Sequence, residues 1–214
     1  MKALLLAAGA GTRLLPLTAA TPKPLLPVKG QPLIERIINS VRLAGVHELV
    51  INLYHLGDAI EAHLGDGSAL GVHIEYSRES RVLETGGGIV NALPLLSDAP
   101  FLIVNGDILT DFDFRSLNPL AMGDLAHLLL VPRPSFRETG DFECIEGRVN
   151  ALGNTWVYGG IAVAEPALFR DAPPAPFSWN VLMWRAAAAG RLSAQIHRGA
   201  WLDIGTPEQY ASVC

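Results

Sequence analysis

Lysine is almost missing from these 214 residues: Lys2, Lys23 and Lys29 are the only three, and arginine supplies every later cation. Cysteine is as scarce. Cys144 and Cys214 lie far apart, which excludes a disulfide scaffold and any thiolate metal spacing, and points to a reducing cytoplasm. Half the residues are hydrophobic, yet no uninterrupted run of about 18 apolar residues occurs, so a membrane-spanning helix is not expected. A basic surplus is missing too. The net charge of −5 argues against a nucleic-acid partner and suits a local cationic pocket for a small anion.

What is present is an alternation of strand and helix signals. The apolar run Ala3 to Ala7 has the charged start of a leader, but it is short and merges into a glycine loop, so it reads as a buried first strand. Gln31 to Ala44 carries apolar residues near a 3.6 period, with Gly45 as its stop. Glu48–Asn52 reads as a strand, Gly57–Leu64 as a helix, Gly71–Ser77 as a strand, and Gly88–Leu96 as a helix disturbed at Pro94. Phe101–Val104 is a buried strand ending at Asn105-Gly106-Asp107. This βαβαβ rhythm predicts an α/β fold whose mostly parallel sheet has helices on both faces. Ligands of such sheets collect beyond the strand C-termini, where Gly9, Gly86 and Asp107 are expected to converge.

After Pro132 the texture changes. Asp141–Val149 predicts a hairpin turning at Glu146-Gly147, and Thr155–Ala164 a further strand. Trp179–Ala189 reads as a helix, Ser193–His197 as a strand, and a short helix follows Pro207. Pro173–Pro176 marks a surface loop. The expectation is one domain over 1–214, with a first half at 1–131 and a substrate lobe at 132–214 grafted onto the same sheet.

The first chemical motif is Gly9-Ala-Gly11-Thr12-Arg13, a spacer, then Pro22-Lys23-Pro24. Glycines let backbone N–H groups close on an anion, while Arg13 supplies a fork of donors and Lys23 a point charge. The glycines alone equally describe an ordinary strand-to-helix turn; Thr12-Arg13 and the rigid Pro-Lys-Pro weigh for phosphate. The second motif is Asn105-Gly106-Asp107, read either as a turn or as a carboxylate for Mg²⁺. Asp203 lies in Trp201-Leu-Asp-Ile-Gly-Thr206 among apolar neighbours, and reads as a capping residue or as a partly buried carboxylate in need of a cation. Glu84-Thr85-Gly86-Gly87-Gly88 permits close backbone approach before a helix. Asp111-Phe-Asp113 carries the Asp-x-Asp pattern of a glycosyltransferase metal site, although Asp107 sits better at a strand end. The six histidines show no ligand spacing.

These motifs, in this order, resemble the sugar-1-phosphate nucleotidyltransferases, whose signature is G-x-G-T-R, then P-K-P, with W-x-D-x-G-T near the C-terminal end. The resemblance runs from Lys2 to Pro207 and implies a Rossmann-like (GT-A-like) mixed sheet with a small sugar-binding lobe. It implies transfer of a nucleotidyl group from a nucleoside triphosphate to a sugar 1-phosphate with release of pyrophosphate. It also implies that Arg13 and Lys23 carry the chemistry, and that Mg²⁺ is held by Asp107 and Asp203. Leu6, Ala8, Gly9, Gly11, Thr12, Thr85, Gly86 and Asn105 complete the implied nucleotide site, with Gly140 and Gly160 as sugar contacts. A hairpin turn and a strand bulge are equally economical readings of those last two glycines. Glu84-Thr-Gly-Gly-Gly88 is similar to the bacterial N-acetylmuramate-1-phosphate uridylyltransferase branch, which implies UTP; a GTP-dependent mannose or heptose branch is the alternative. The family's common E-x-K-P element is missing, and Arg148–Asn154 stands in its region. A non-catalytic sensor keeping the fold is a third reading, set against by the retained Arg13, Lys23, Asp107 and Asp203. The sequence carries no signal for an oligomeric state.

Overall fold

The computed structural model describes residues 1–173 and 175–214, with residues 150 and 151 described by backbone alone. The first strand, β1 (Lys2–Leu6), is buried at its three central residues and lies between two parallel neighbours. It leads through 3₁₀ turns at Thr12–Leu14 and Lys23–Leu25 to a small ladder of β2 (Pro27–Val28) and β3 (Gln31–Pro32). That ladder is why α1 begins at Leu33 rather than Gln31: residues 31 and 32 are spent on pairing, and Pro32 caps the helix. Helix α1 (Leu33–Leu43) is followed by β4 (Glu48–Leu53), α2 (Gly57–Leu64) and β5 (His73–Arg78).

Helix α3 (Glu84–Ala92) starts one turn earlier than expected, so the three glycines lie inside its first turns rather than before it. Glycine disfavours a helix interior, and packing overrides that preference here. A Cβ at Gly86 would meet the Phe177 ring at 2.3 Å, and one at Gly87 the Ala175 carbonyl at 2.6 Å. The Phe177 carbonyl accepts the amides of Gly86 (2.8 Å) and Gly87 (3.3 Å), satisfying donors that a helix start leaves open. Within the expected Pro173–Pro176 loop, Pro174 lies outside the described residues. Pro94 falls in a 3₁₀ turn that ends the helix.

The chain continues through β6 (Phe101–Asn105), β7 (Ile108–Thr110), β8 (Ala126–Pro132) and β9 (Phe142–Ile145). Next come β10 (Arg148–Ala164), α4 (Asn180–Ala188), β11 (Leu192–Ile196), β12 (Trp201–Asp203) and α5 (Pro207–Ala211). The hairpin does turn at Glu146-Gly147, both with positive φ. The separate strand expected at Thr155–Ala164 is instead the second part of a single 17-residue β10. Register shifts along β10 let its first part pair with β9 and its later part with β8 and β6. The main sheet runs β11-β8-β10-β6-β1-β4-β5. It draws strands from both sides of residue 131.

Alternate residues of the central strands enter opposite cores, as the pleat requires. Ala3, Leu5, Leu49 and Ile51 pack with Ile34, Ile38 and Ile60 of α1 and α2. Leu4, Val50 and Ile103 pack with Ile89, Leu182 and Met183 of α3 and α4. A third, smaller cluster of Leu14, Leu26, Val28, Leu33 and Ile204 ties the loop after β1 to the segment after β12. No helix among the described residues is long and apolar enough to cross a membrane.

Candidate functional site

The site grows from the C-terminal ends of β1, β4 and β6. Ala7, just beyond β1, donates its amide to Asn52 Oδ1 at 2.6 Å, which pins the start of the glycine loop to β4. Gly11 sits at φ +63, and Thr18 donates its hydroxyl to the Gly11 carbonyl at 2.8 Å, so this turn requires glycine. Gly9 faces open space, with nothing within 4 Å of an added Cβ. Leu14 is buried in the third cluster and thereby anchors its neighbour Arg13, whose guanidinium lies 3.1 to 3.2 Å from where a Cβ on Gly205 would stand.

Lys23 follows Pro22 into a 3₁₀ turn and is buried, 9% exposed. Its Nζ donates to Asp107 Oδ2 at 2.6 Å. Asp107 is placed by Gly106, whose amide donates to the Leu6 carbonyl at 2.8 Å; a Cβ there would stand 2.6 Å from that oxygen. Asp203 arrives from the far end of the sequence because β12 pairs with β7, setting Asp203 opposite Ile108, and the Ile204 amide donates to the Asp107 carbonyl at 3.0 Å. Burial raises the Asp203 carboxyl above the usual range, the Asp107 carboxylate raises it further, and Lys23, Arg13 and Arg137 pull it back down. Asp203 Oδ1 is buried without a hydrogen bond. Arg13, Lys23, Asp107 and Asp203 therefore meet, although they span 190 positions of sequence.

Two cavities share Leu6, Gly9 and Asp107 as walls. The first, about 260 Å³, is also lined by Gly11, Thr12, Arg13, Lys23 and Gly205. The second, about 180 Å³, is also lined by Ala8, Thr85 and Asn105, and by four residues outside the expected set, Asn52, Glu79, Val82 and Glu84. Glu79 is buried, which raises its carboxyl; it accepts from Asn52 Nδ2 at 2.7 Å and from the Leu83 amide at 3.2 Å. Gly88 makes room for this pair, since its Cβ would come within 2.7 Å of both side chains. The one available signal for Asn52 was a polar residue closing the apolar run Leu49–Ile51.

Four expected residues fall outside both cavities: Asp203, which lines a third beside them, and three glycines. Gly86 is buried beneath the second cavity, against Phe177. Gly160, at φ +78 in a β10 irregularity, makes room for Asn105 and Ile108. Gly140 lies against the Asn154 backbone and donates its amide to Asn154 Oδ1 at 3.0 Å. Asp111 and Asp113 line neither cavity; Asp111 faces His197 at 2.9 Å and Asp113 faces Arg115 at 2.8 Å. Among the described residues, no group of three or more His, Cys, Asp or Glu side chains is assembled for a metal.

Comparison with known proteins gives the family and the fold. The nucleotidyl transferase family model matches residues 2–137. The N-acetylmuramate alpha-1-phosphate uridylyltransferase of Neisseria meningitidis is 44% identical, over 96% of this chain and 94% of that one. The enzyme of the same name from Caulobacter vibrioides is 35% identical, over 96% of this chain and 92% of that one. A mannose-1-phosphate guanylyltransferase from Mycobacterium tuberculosis is 40% identical over 54% of this chain and 32% of that one. In structure, HddC from Yersinia pseudotuberculosis complexed with GMP-PN has a TM-score of 0.83 at 23% identity, covering 100% of this chain and 97% of that one.

Proposed function

The chain belongs to the nucleotidyl transferase family, and from that premise we propose that it transfers a uridylyl group from UTP to N-acetylmuramate 1-phosphate, releasing pyrophosphate. The observation that carries this reading is that Arg13, Lys23 and Asp107 line one anion-sized cavity, with Asp203 close enough for its carboxyl to feel all three, and that this cavity shares Leu6, Gly9 and Asp107 with a second, base-sized one. The full-length similarity to two enzymes named for that reaction supports the choice of substrates. The cytoplasm supplies such a triphosphate, and two free cysteines, Cys144 and Cys214, suit its reducing conditions.

The nucleophile is already prepared. A phosphate monoester loses its second proton near pH 6, so the sugar phosphate needs no general base. One of its oxygens attacks the α-phosphorus in line. The new P–O bond forms as the α–β bridging P–O bond breaks, and the electron pair leaves with pyrophosphate. The barrier is electrostatic, so positioning and charge neutralisation carry the rate. Arg13, at the mouth of the glycine loop, covers the departing β- and γ-phosphates. Lys23 covers the reacting phosphates from the buried side, and the open face of Gly9 admits the polyphosphate backbone. Asn52 and Thr85 shape the cavity assigned to the base.

Asp107 and Asp203 fit a hard divalent cation such as Mg²⁺: two carboxylates stand close enough to raise one of them, and Asp203 Oδ1 is buried with nothing to pair it. When bound there, that ion supplies further neutralisation of the phosphate oxygens.

A second reading, GTP with a mannose or heptose 1-phosphate, is favoured by Glu79. An ionised carboxylate in the base cavity only accepts hydrogen bonds, and guanine offers it more donors than uracil does. A panel of the four triphosphates against N-acetylmuramate, mannose and glucose 1-phosphates, read by pyrophosphate release, decides between them. Release with UTP and the muramate alone supports the first reading; release with GTP and mannose overturns it.

A further inference from the structure

A third cavity, about 590 Å³, is lined by Arg13, Phe136, Arg137, Thr206 and Gln209, with Asp203 and Glu208 as its acidic members. Arg13 also serves the phosphate cavity, and Lys23 is engaged with Asp107. Arg137 lines neither of the first two cavities. We propose that Arg137 selects sugar 1-phosphates bearing an additional carboxylate on the sugar, by pairing with that carboxylate in this cavity. The proposal deepens the nucleotidyl-transfer reading above and rests on it.

The guanidinium is held in place before any ligand arrives. Its Nη1 and Nη2 donate to Asp141 at 3.3 and 3.0 Å, and Asp141 Oδ2 accepts the Tyr158 amide at 2.9 Å, which fixes the pair to β10. Arg133 holds the loop itself, donating through Nη1 to the carbonyls of Arg137 (2.6 Å) and Glu138 (3.2 Å) and through Nε to the Asn154 carbonyl (3.1 Å). An arginine has five donor hydrogens and this pair uses two, so an edge of Arg137 stays open to a second acceptor. Its Nε has no partner among the described residues. Arg137 also reaches Asp203 electrically, lowering that carboxyl, so its charge is felt at the reaction centre.

Structural work alone accounts poorly for this residue. A partly exposed ion pair with Asp141 contributes modestly to stability, whereas a fixed fork is the geometry that recognises carboxylates. A muramate differs from the parent hexosamine by one carboxylate-bearing ether. The other polar side chains here are committed: Arg13 to the phosphate cavity, Thr206 and Gln209 to capping α5, while Asp203 and Glu208 repel an anion and leave Arg137 as its partner.

The test compares kcat/KM for N-acetylmuramate 1-phosphate and N-acetylglucosamine 1-phosphate, which lacks the carboxylate, in the native enzyme, Arg137→Gln and Arg137→Lys. The ratio of the two values should fall about tenfold to a hundredfold in Arg137→Gln, the scale of one lost charged hydrogen bond, and recover in part in Arg137→Lys. An unchanged ratio overturns the proposal, as does a rise in the triphosphate KM with the ratio intact, which would assign Arg137 to the polyphosphate. Native enzyme that turns over neither sugar with any triphosphate, yet releases pyrophosphate with mannose 1-phosphate, overturns the muramate reading on which this rests; no release with any of the three overturns nucleotidyl transfer itself. Turnover of one sugar by the variant shows that it has folded.

Discussion

Lys23 and Asp107, 84 positions apart, form an ion pair of 2.6 Å at the floor of the phosphate cavity. The lysine also lowers the carboxyl of the neighbouring Asp203. Lys23→Ala should reduce turnover at least about a hundredfold, the usual size of one lost electrostatic contributor. It also removes a charge that holds Asp203 down, so any acid limb of the pH–rate profile should move to higher pH. Steady-state rates between pH 5 and 8 check both. A Lys23→Ala protein that is unfolded by circular dichroism assigns the lysine to structure instead.

The two aspartates carry a separate prediction. Asp107→Asn or Asp203→Ala should each lower Mg²⁺-dependent pyrophosphate release at least about a hundredfold. Near-normal release by the double variant would refute their assignment as the metal ligands.

Asp203 should also cost the protein stability. Its carboxyl is raised in the folded state, chiefly by burial and then by Asp107. The native state therefore binds this proton more tightly than the unfolded state does. The resulting penalty is fully present above the raised native value and absent below the unfolded value, about 3.9. Asp203→Asn removes it. Without divalent cation, the variant should melt above the native protein at pH 7, by about 2–4 °C for each kcal/mol in a chain of this size. The difference should shrink as pH falls toward 4. A variant that melts below the native protein at pH 7 would contradict this account.

Two glycines should separate binding from folding. Gly9 has open space where a Cβ would stand, so Gly9→Ala should leave stability within about 0.5 kcal/mol while raising the KM for the triphosphate. Gly88→Ala instead drives a methyl into Asn52 and Glu79. It should cost about 1–3 kcal/mol in urea unfolding, through strain and a broken buried hydrogen bond.

Much of this was legible from local signals. The strand β1, helix α2, the turn at Glu146-Gly147 and the start of β6 all follow from apolar periodicity and glycine placement, which act within a few residues. The glycines of α3 misled for a reason of long range. Gly86 and Gly87 make room for residues 175 and 177, and Gly88 for Asn52 and Glu79, contacts that no local window contains. Likewise β10 runs unbroken through Gly153 because its two parts have different partners.

By itself, the sequence determined the α/β rhythm, the anion-binding character of the loop after β1, and which charged residues were worth watching. These follow from short-range patterning and from the chemistry of each side chain. Only the tertiary structure decided that Asp203 stands beside Asp107, that Asn52 and Glu79 wall the second cavity, and that Arg137 faces a third. Those facts depend on strand pairing between residues as far apart as 108 and 203, whose energy is gained only once the sheet has closed.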